Sequence, residues 1–246
     1  MTANFSAVAG EYARWRPSYP DELFDYLSSI CRGHERAWDC GAGSGQASLP
    51  LTRSFRQVIA TDQSRAMLSR APRMSRLLLC VTTAEHAGIR DESVDLVTVA
   101  QALHWFEVQP FYQEVDRVLN RGGVLAVWTY GNQRVEHDEI DPVLDRFYQD
   151  VVGPYWRPER RHVESGYRAL PFPFPELEPP SFILEEQWAL TDLLGYLGTW
   201  SATQQYREAT GRDPLEAITQ ELSALWGRGT RTIRWPLSIR VGRRPR

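Results

Sequence analysis

Glu35-Arg-Ala-Trp-Asp39-Cys-Gly41-Ala-Gly43-Ser-Gly45-Gln46 is the stretch on which the reading of the whole chain turns. Residues 35–40 read as a short strand. Residues 46–54 read as a helix, with Pro50 near its first turn, where a missing N–H is tolerated. Glycines at alternate positions join the two. Glycine accepts positive φ and lets another molecule come close to the backbone. The start of a helix also leaves unpaired N–H groups facing that space. Strand, glycine turn and helix make the opening half of a βαβ unit, so a parallel sheet is expected.

The pattern continues outward from there. Gln57–Asp62, Leu77–Val81, Val94–Ala100 and Val124–Thr129 read as further strands, the third of them β-branched and apolar like a buried parallel strand. Ser64–Arg70 reads as a helix. So does Gln109–Leu119, where Phe111, Val115, Val118 and Leu119 share a face and Gly122-Gly123 serves as the stop. The second half is less regular. Helices are expected over 139–152, 192–199 and 214–226, and strands over 182–190 and 230–241, with Pro236 on an edge or at a bulge. Residues 154–180 are rich in Pro, Arg and aromatics, and read as an ordered cap.

The spacing of the glycine turn discriminates between cofactors. A dinucleotide fingerprint, G-x-G-x-x-G, would put its third glycine at position 46, which is Gln. The turn also begins at a carboxylate, Asp39, which would repel a pyrophosphate. S-adenosylmethionine carries an ammonium and a sulfonium and no phosphate, so an acid nearby is favourable, directly or through water. The second acid, Asp62, ends the next strand about 20 residues after Gly41. It suits two ribose hydroxyls, or alternatively the N-cap of the following helix. An NAD(P)-dependent oxidoreductase is the rival enzyme, opposed by Gln46 and Asp39. A non-catalytic cofactor-binding module is the rival outside catalysis.

Composition excludes several chemistries. All 28 Lys+Arg residues are Arg, so neither a P-loop lysine nor a Schiff base is available. A net charge of −3 opposes nucleic acid as a partner, and the basic tail Arg240–Arg246 reads as a solvated terminus. Cys31, Cys40 and Cys80 form no C-x-x-C pair, so no metal is expected, and a reducing cytoplasm is. The first twenty residues do not read as a secretory signal. The absence of a long apolar run predicts no membrane span.

From Asp39 to Tyr130 the chain resembles the class I S-adenosylmethionine-dependent methyltransferases, and within them the small-molecule branch of the trans-aconitate methyltransferases. The segments carrying the resemblance are D-C-G-A-G-S-G at 39–45, Asp62, Ala84-Glu85 with D-E-S-V-D-L-V at 91–97, Q-A-L-H-W-F at 101–106, and R-V-L-N-R-G-G at 117–123. Upstream, Y-A-R-W-R-P-S-Y-P at 12–20 resembles the branch's N-terminal segment. One departure is visible: Ala87-Gly88-Ile89 stands where the family has Leu-Pro-Phe.

The resemblance implies an α/β, Rossmann-like, seven-stranded and mostly parallel sheet, with helices on both faces and the last strand antiparallel. It implies a single methyltransferase domain over 1–246, with N-terminal cap helices (1–34), a cofactor-binding core (35–130), helices and a substrate cap (131–230) and a final strand and tail (230–246). The cofactor, S-adenosylmethionine, would lie over Asp39, Gly41, Ala42, Gly43 and Gly45. Asp62 would take the ribose, Gln63, Ala84 and Glu85 would flank the adenine, and the Gln101 backbone would accept from the methionine ammonium. Tyr12 and Arg16 would close over it, Arg16 pairing with the methionine carboxylate.

Methyl transfer from a sulfonium is an in-line displacement that needs alignment and dryness more than acid catalysis. A base is required only when the acceptor arrives protonated, and the acceptor is expected to be a small molecule with a carboxylate or hydroxyl oxygen. His104 is the candidate base, or a structural histidine packed beside Trp105 and Phe106. Tyr19 is a candidate to reach the pocket, or an anchor for the cap. Trp156, Tyr167, Phe172, Phe174, Trp200 and Tyr206 are candidates to wall an apolar pocket. Arg157, Arg160 and Arg161 read first as a solvated face and otherwise, with Arg14, as partners of an acidic substrate.

Overall fold

The computed structural model describes residues 15–246, so Tyr12 and Arg14 lie outside the described residues. Helix α1 (Asp21–Ile30) buries Leu23, Phe24 and Leu27 on one stripe and starts with two acids that suit its N-terminus. Alternating units follow: β1 (Arg36–Cys40), α2 (Ser48–Leu51), β2 (Gln57–Asp62), α3 (Arg65–Leu68), β3 (Leu77–Val81), β4 (Val94–Ala100), α4 (Val108–Val118) and β5 (Leu119–Tyr130). A 3₁₀ turn, Leu103–Trp105, links β4 to α4.

The cap contains β6 (Arg134–Val135), α5 (Ile140–Arg146) running into a π turn at Phe147–Val151, a 3₁₀ turn at Gly153–Tyr155, and α6 (Arg160–Glu164). Then come β7 (Glu176–Leu177), β8 (Phe182–Trp188), α7 (Leu190–Gly198), α8 (Ser201–Thr210), α9 (Glu216–Trp226) and β9 (Arg231–Arg243).

The sheet runs β3-β2-β1-β4-β5-β9, with β6, β7 and β8 all pairing with β9. Strands β1 to β5 are parallel, and β9 is antiparallel to each of its partners. Among the described residues the sheet has nine strands where seven were expected, the extra two being β6 and β7, of two residues each. Side chains alternate between faces, as the strand period requires. Val124, Ala126, Trp128 and Tyr130 of β5 pack into the layer containing α1, α2, α5, α7 and α9. Leu125 and Val127 pack into the layer containing α4 and α6.

Two local expectations are corrected. Gly122-Gly123 does not stop α4, because the chain turns extended at Leu119 and the glycines fall inside β5. They sit where the register against β4 slips between Leu119 and Val124, and Gly122 has φ +76° beside the Arg32 guanidinium. Glycine at 122 supplies the positive φ that this irregularity of the ladder uses. Pro236 is not on an edge strand. On one side β9 meets β5 from Leu237 onward and β6 only at Ile233–Arg234, so the ladder there is interrupted at the proline that lacks an N–H.

Candidate active site

A cavity of about 870 Å³ opens at the carboxyl ends of β1, β2 and β4, where the strand order reverses. Its floor is the glycine turn. Gly41 and Gly43 have φ of +69° and +55°, and a Cβ on Gly41 would fall 2.6 Å from the Ala102 Cβ. Two strand-end contacts tie the turn to β2. The Ala42 N–H donates to the Thr61 carbonyl at 2.9 Å, and the Gly43 N–H to Asp62 Oδ2 at 2.9 Å.

Asp62 also accepts from the Ser64 N–H at 2.7 Å and borders the cavity. Burial raises its pKa against these two backbone donors. The N-cap of α3 is Ser64, whose hydroxyl accepts from Met67 N–H, so Asp62 does not cap that helix. Gln63, Ala84, Glu85, Gln101 and Ala42 border the cavity as well. Gln101 stands at φ +55°, a strained setting for a residue with a side chain. Its amide is pinned on both sides, Nε2 donating to the Tyr130 carbonyl at 3.1 Å and Oε1 accepting from Thr129 at 2.6 Å. Glu85 accepts from the Glu107 N–H at 3.0 Å.

Asp39 is placed differently from the sequence expectation. It is fully buried below the turn and does not border the cavity. Its two oxygens accept from Ser48 and Thr98 hydroxyls, and burial lifts its pKa to about 6. Both of its oxygens are thus held by protein hydroxyls. Gly45 also stays outside the cavity, with φ +84° against Ala71 and Pro72, close enough that a Cβ would sit 3.1 Å from the Ala71 Cβ.

Beyond the cavity, sharing Gln101, Trp105 and Tyr130 with it, lies a hollow of about 70 Å³. Trp156, Tyr196 and Trp200 wall it, and Arg16, His104 and Arg160 border it. Among the described residues, the lining contains two guanidinium groups and no Asp or Glu. Arg160 stacks over Trp156 at 4.5 Å and Tyr148 at 5.4 Å. Its Nε donates to the Tyr148 hydroxyl at 2.9 Å and its Nη2 to Asn132 Oδ1 at 3.2 Å. No carboxylate among the described residues lies within ion-pair distance of it.

Arg16 lies over the Tyr196 ring at 5.4 Å, with a long contact of 3.4 Å to the Thr199 carbonyl. It borders this hollow and not the larger cavity. Arg157 does reach the larger cavity, over the Trp105 ring at 5.8 Å. Arg161 is exposed. The solvated-face reading of the arginine run is thus corrected for two of its three members, because aromatic faces hold them inward. Tyr19 borders the cavity and packs edge-on to Trp128 at 5.6 Å.

Of the expected aromatic wall, Trp156 and Trp200 border the hollow. Phe172 packs against Tyr112 and Arg240, and Tyr206 against Tyr155. Sequence reasoning did not single out Tyr130 and Tyr196. Tyr130 ends β5, on the same rim as Gln101 at the end of β4, and that position was its signal. Tyr196 had none, since it reads as an ordinary core residue of α7. No group of His, Cys, Asp and Glu among the described residues is placed to hold a metal ion. No helix among them is long and apolar enough to cross a membrane.

Comparison with known proteins agrees with this fold. Residues 38–127 match the methyltransferase domain family. A candidate methyltransferase of Dictyostelium discoideum is 32% identical over 221 residues, which is 89% of this chain and 84% of that protein. An uncharacterized methyltransferase of Mycobacterium tuberculosis H37Rv is 36% identical over 176 residues, 67% of this chain and 70% of that one. A solved structure from Anaeromyxobacter dehalogenans, named as a candidate type II methyltransferase, superposes with a TM-score of 0.87 at 46% identity, covering 94% of this chain and 99% of that one.

Proposed function

The chain belongs to the class I S-adenosylmethionine-dependent methyltransferases, and from that membership we propose that it methylates an oxygen of a small-molecule acceptor, a carboxylate in preference to a hydroxyl. Its cofactor is S-adenosylmethionine, which supplies an electrophilic methyl on a sulfonium. The cavity fits that cofactor on its own evidence: it has the volume of a nucleoside site, a floor of glycines, an acid at the end of β2 and no phosphate-binding cation on the turn.

Within the proposal, Asp62 receives the ribose hydroxyls, and Gln63, Ala84 and Glu85 line the adenine end. The Gln101 carbonyl receives the ammonium. Ala42 and Gly43 support the middle of the molecule. Gly41 and Gly45 keep the turn compact, and Asp39 holds it from below through Ser48 and Thr98. Arg157, beside Trp105, is better placed for the methionine carboxylate than Arg16, which borders the hollow.

The observation that carries the acceptor class is the hollow's lining at Arg160, a guanidinium held by aromatic faces, a phenol and an amide, with no carboxylate among the described residues within ion-pair distance. Such a lining stabilises an anion and repels an amine that must shed a proton. A carboxylate enters already ionised, so no base is needed. The residues then align and desolvate it. Purified protein with methyl-labelled cofactor, tested on panels of carboxylic acids, phenols, alcohols and amines, should label the acids. Labelling confined to amines would overturn the proposal.

A further inference from the structure

His104 and Tyr167 form a pair that the reading above leaves without a role. Tyr167 is fully buried and stands at φ +62°, immediately after Gly166 at φ +60°, where a Cβ would fall 2.7 Å from the Ser238 side chain. A bulky residue in the left-handed region is uncommon and is held there only by its surroundings. Here its N–H donates to the His162 carbonyl at 2.7 Å, and its carbonyl accepts from Arg240 Nη1 at 2.8 Å. The strained backbone sets the phenol oxygen 2.9 Å from His104 Nδ1, with the ring planes inclined by 29°.

The direction of that hydrogen bond follows from the neighbours. The phenol oxygen lies near the backbone N–H groups of Leu103 and His104, the first donors of the 3₁₀ turn, which have no partner within it. An N–H group can only donate, and the Thr129 hydroxyl proton is already given to Gln101 Oε1 at 2.6 Å, so the phenol proton goes outward. Two acceptors are nearby, the Thr129 hydroxyl and Nδ1, and only Nδ1 makes hydrogen-bond geometry. The imidazole is able to accept, because burial, and then Arg160 and His162, hold its pKa down to about 3. With Nδ1 occupied, Nε2 is the one polar atom left for the ring to offer the hollow.

We propose that His104 is a hydrogen-bond donor to the acceptor anion through Nε2–H, and that Tyr167 is the positioning residue that fixes this tautomer. The inference rests on the acceptor reading above, and it replaces the expectation of a general base at His104. Every charged or hydrogen-bonding group contributed by Arg160 and His104 to the hollow is then a donor, the complement of a carboxylate.

The test separates the two readings. In ¹⁵N-histidine-labelled wild-type protein without ligands, long-range ¹H–¹⁵N correlation should show His104 protonated at Nε2. Protonation at Nδ1 overturns the inference whatever the acceptor. Benzoate is then titrated into protein saturated with S-adenosylhomocysteine. His104→Ala should weaken benzoate binding about ten- to hundredfold, the scale of one hydrogen bond to a charged group, while His104→Gln, which keeps a donor and no base, should restore most of it. Equal binding by both variants and wild type overturns the contact. Tyr167→Phe should leave S-adenosylhomocysteine affinity in place and give His104 resonances of mixed tautomers. A single Nε2–H form in that variant would remove Tyr167 from the role.

Discussion

Asp39 and Asp62 end adjacent strands, and their surroundings set them different tasks. Asp62 has backbone donors on one side and the cavity on the other. Asp62→Ala is expected to weaken S-adenosylmethionine binding by about 1–3 kcal/mol, the scale of lost charged hydrogen bonds. Unchanged affinity in calorimetry would take it out of the site. Asp39 faces only Ser48 and Thr98, and its folded pKa of about 6 exceeds the ordinary unfolded value. The folded state therefore holds more protons than the unfolded state between these two pKa values. Stability from this group is fully present below roughly pH 4 and is lost as pH rises through the folded pKa, by on the order of 3 kcal/mol. Denaturant unfolding of wild type and Asp39→Asn across pH 4–7.5 should show the variant gaining on wild type as pH rises. A pH-independent difference would refute it. His104 has the opposite sign: its depressed pKa contributes stability above its unfolded value, about pH 6.5, that is lost as pH falls toward 3.

At the scale of elements, the loop that follows β3 shows a helix holding a neighbouring segment through a buried carboxylate. Ala87-Gly88-Ile89 carries less side chain than the family's Leu-Pro-Phe. The loop is held by α4, whose buried Glu114 accepts from the Ala87 N–H at 2.8 Å and is itself gripped by Arg117. Arg117 keeps the Glu114 pKa below its ordinary value despite burial. Glu114→Ala would strand a buried N–H. We expect about 1–3 kcal/mol of lost stability, with weaker cofactor binding measured alongside. Full affinity would mean that the loop stands without the helix. Gly41→Ala tests the turn in the same way: positive φ and the 2.6 Å approach to Ala102 should lower stability and narrow the cavity together.

Across the whole molecule, β9 is the element that binds cap to core. It pairs with β5, β6, β7 and β8, and its Trp235 is fully buried against Trp188 at 5.0 Å and Tyr196 at 5.5 Å. Tyr196 in turn walls the smaller hollow. Trp235→Ala should cost about 3–5 kcal/mol, as large aromatic deletions in a core do. Its unfolding curves by near- and far-ultraviolet circular dichroism should still coincide, because cap and sheet share this strand. Two separated transitions would show that the cap folds independently of β9.

The amino-acid sequence alone determined the alternating strands, the glycine turn and the acid at the end of β2. Those features depend on side-chain period and on backbone freedom within a few neighbouring residues. The direction in which Asp39, Arg157, Arg160 and Tyr167 point was decided only in three dimensions. Each is turned by partners distant in the chain: Thr98 for Asp39, Trp105 for Arg157, Asn132 for Arg160, and Ser238 and Arg240 for Gly166-Tyr167. The energy of a buried polar group depends on what encloses it, and no local pattern records the enclosure.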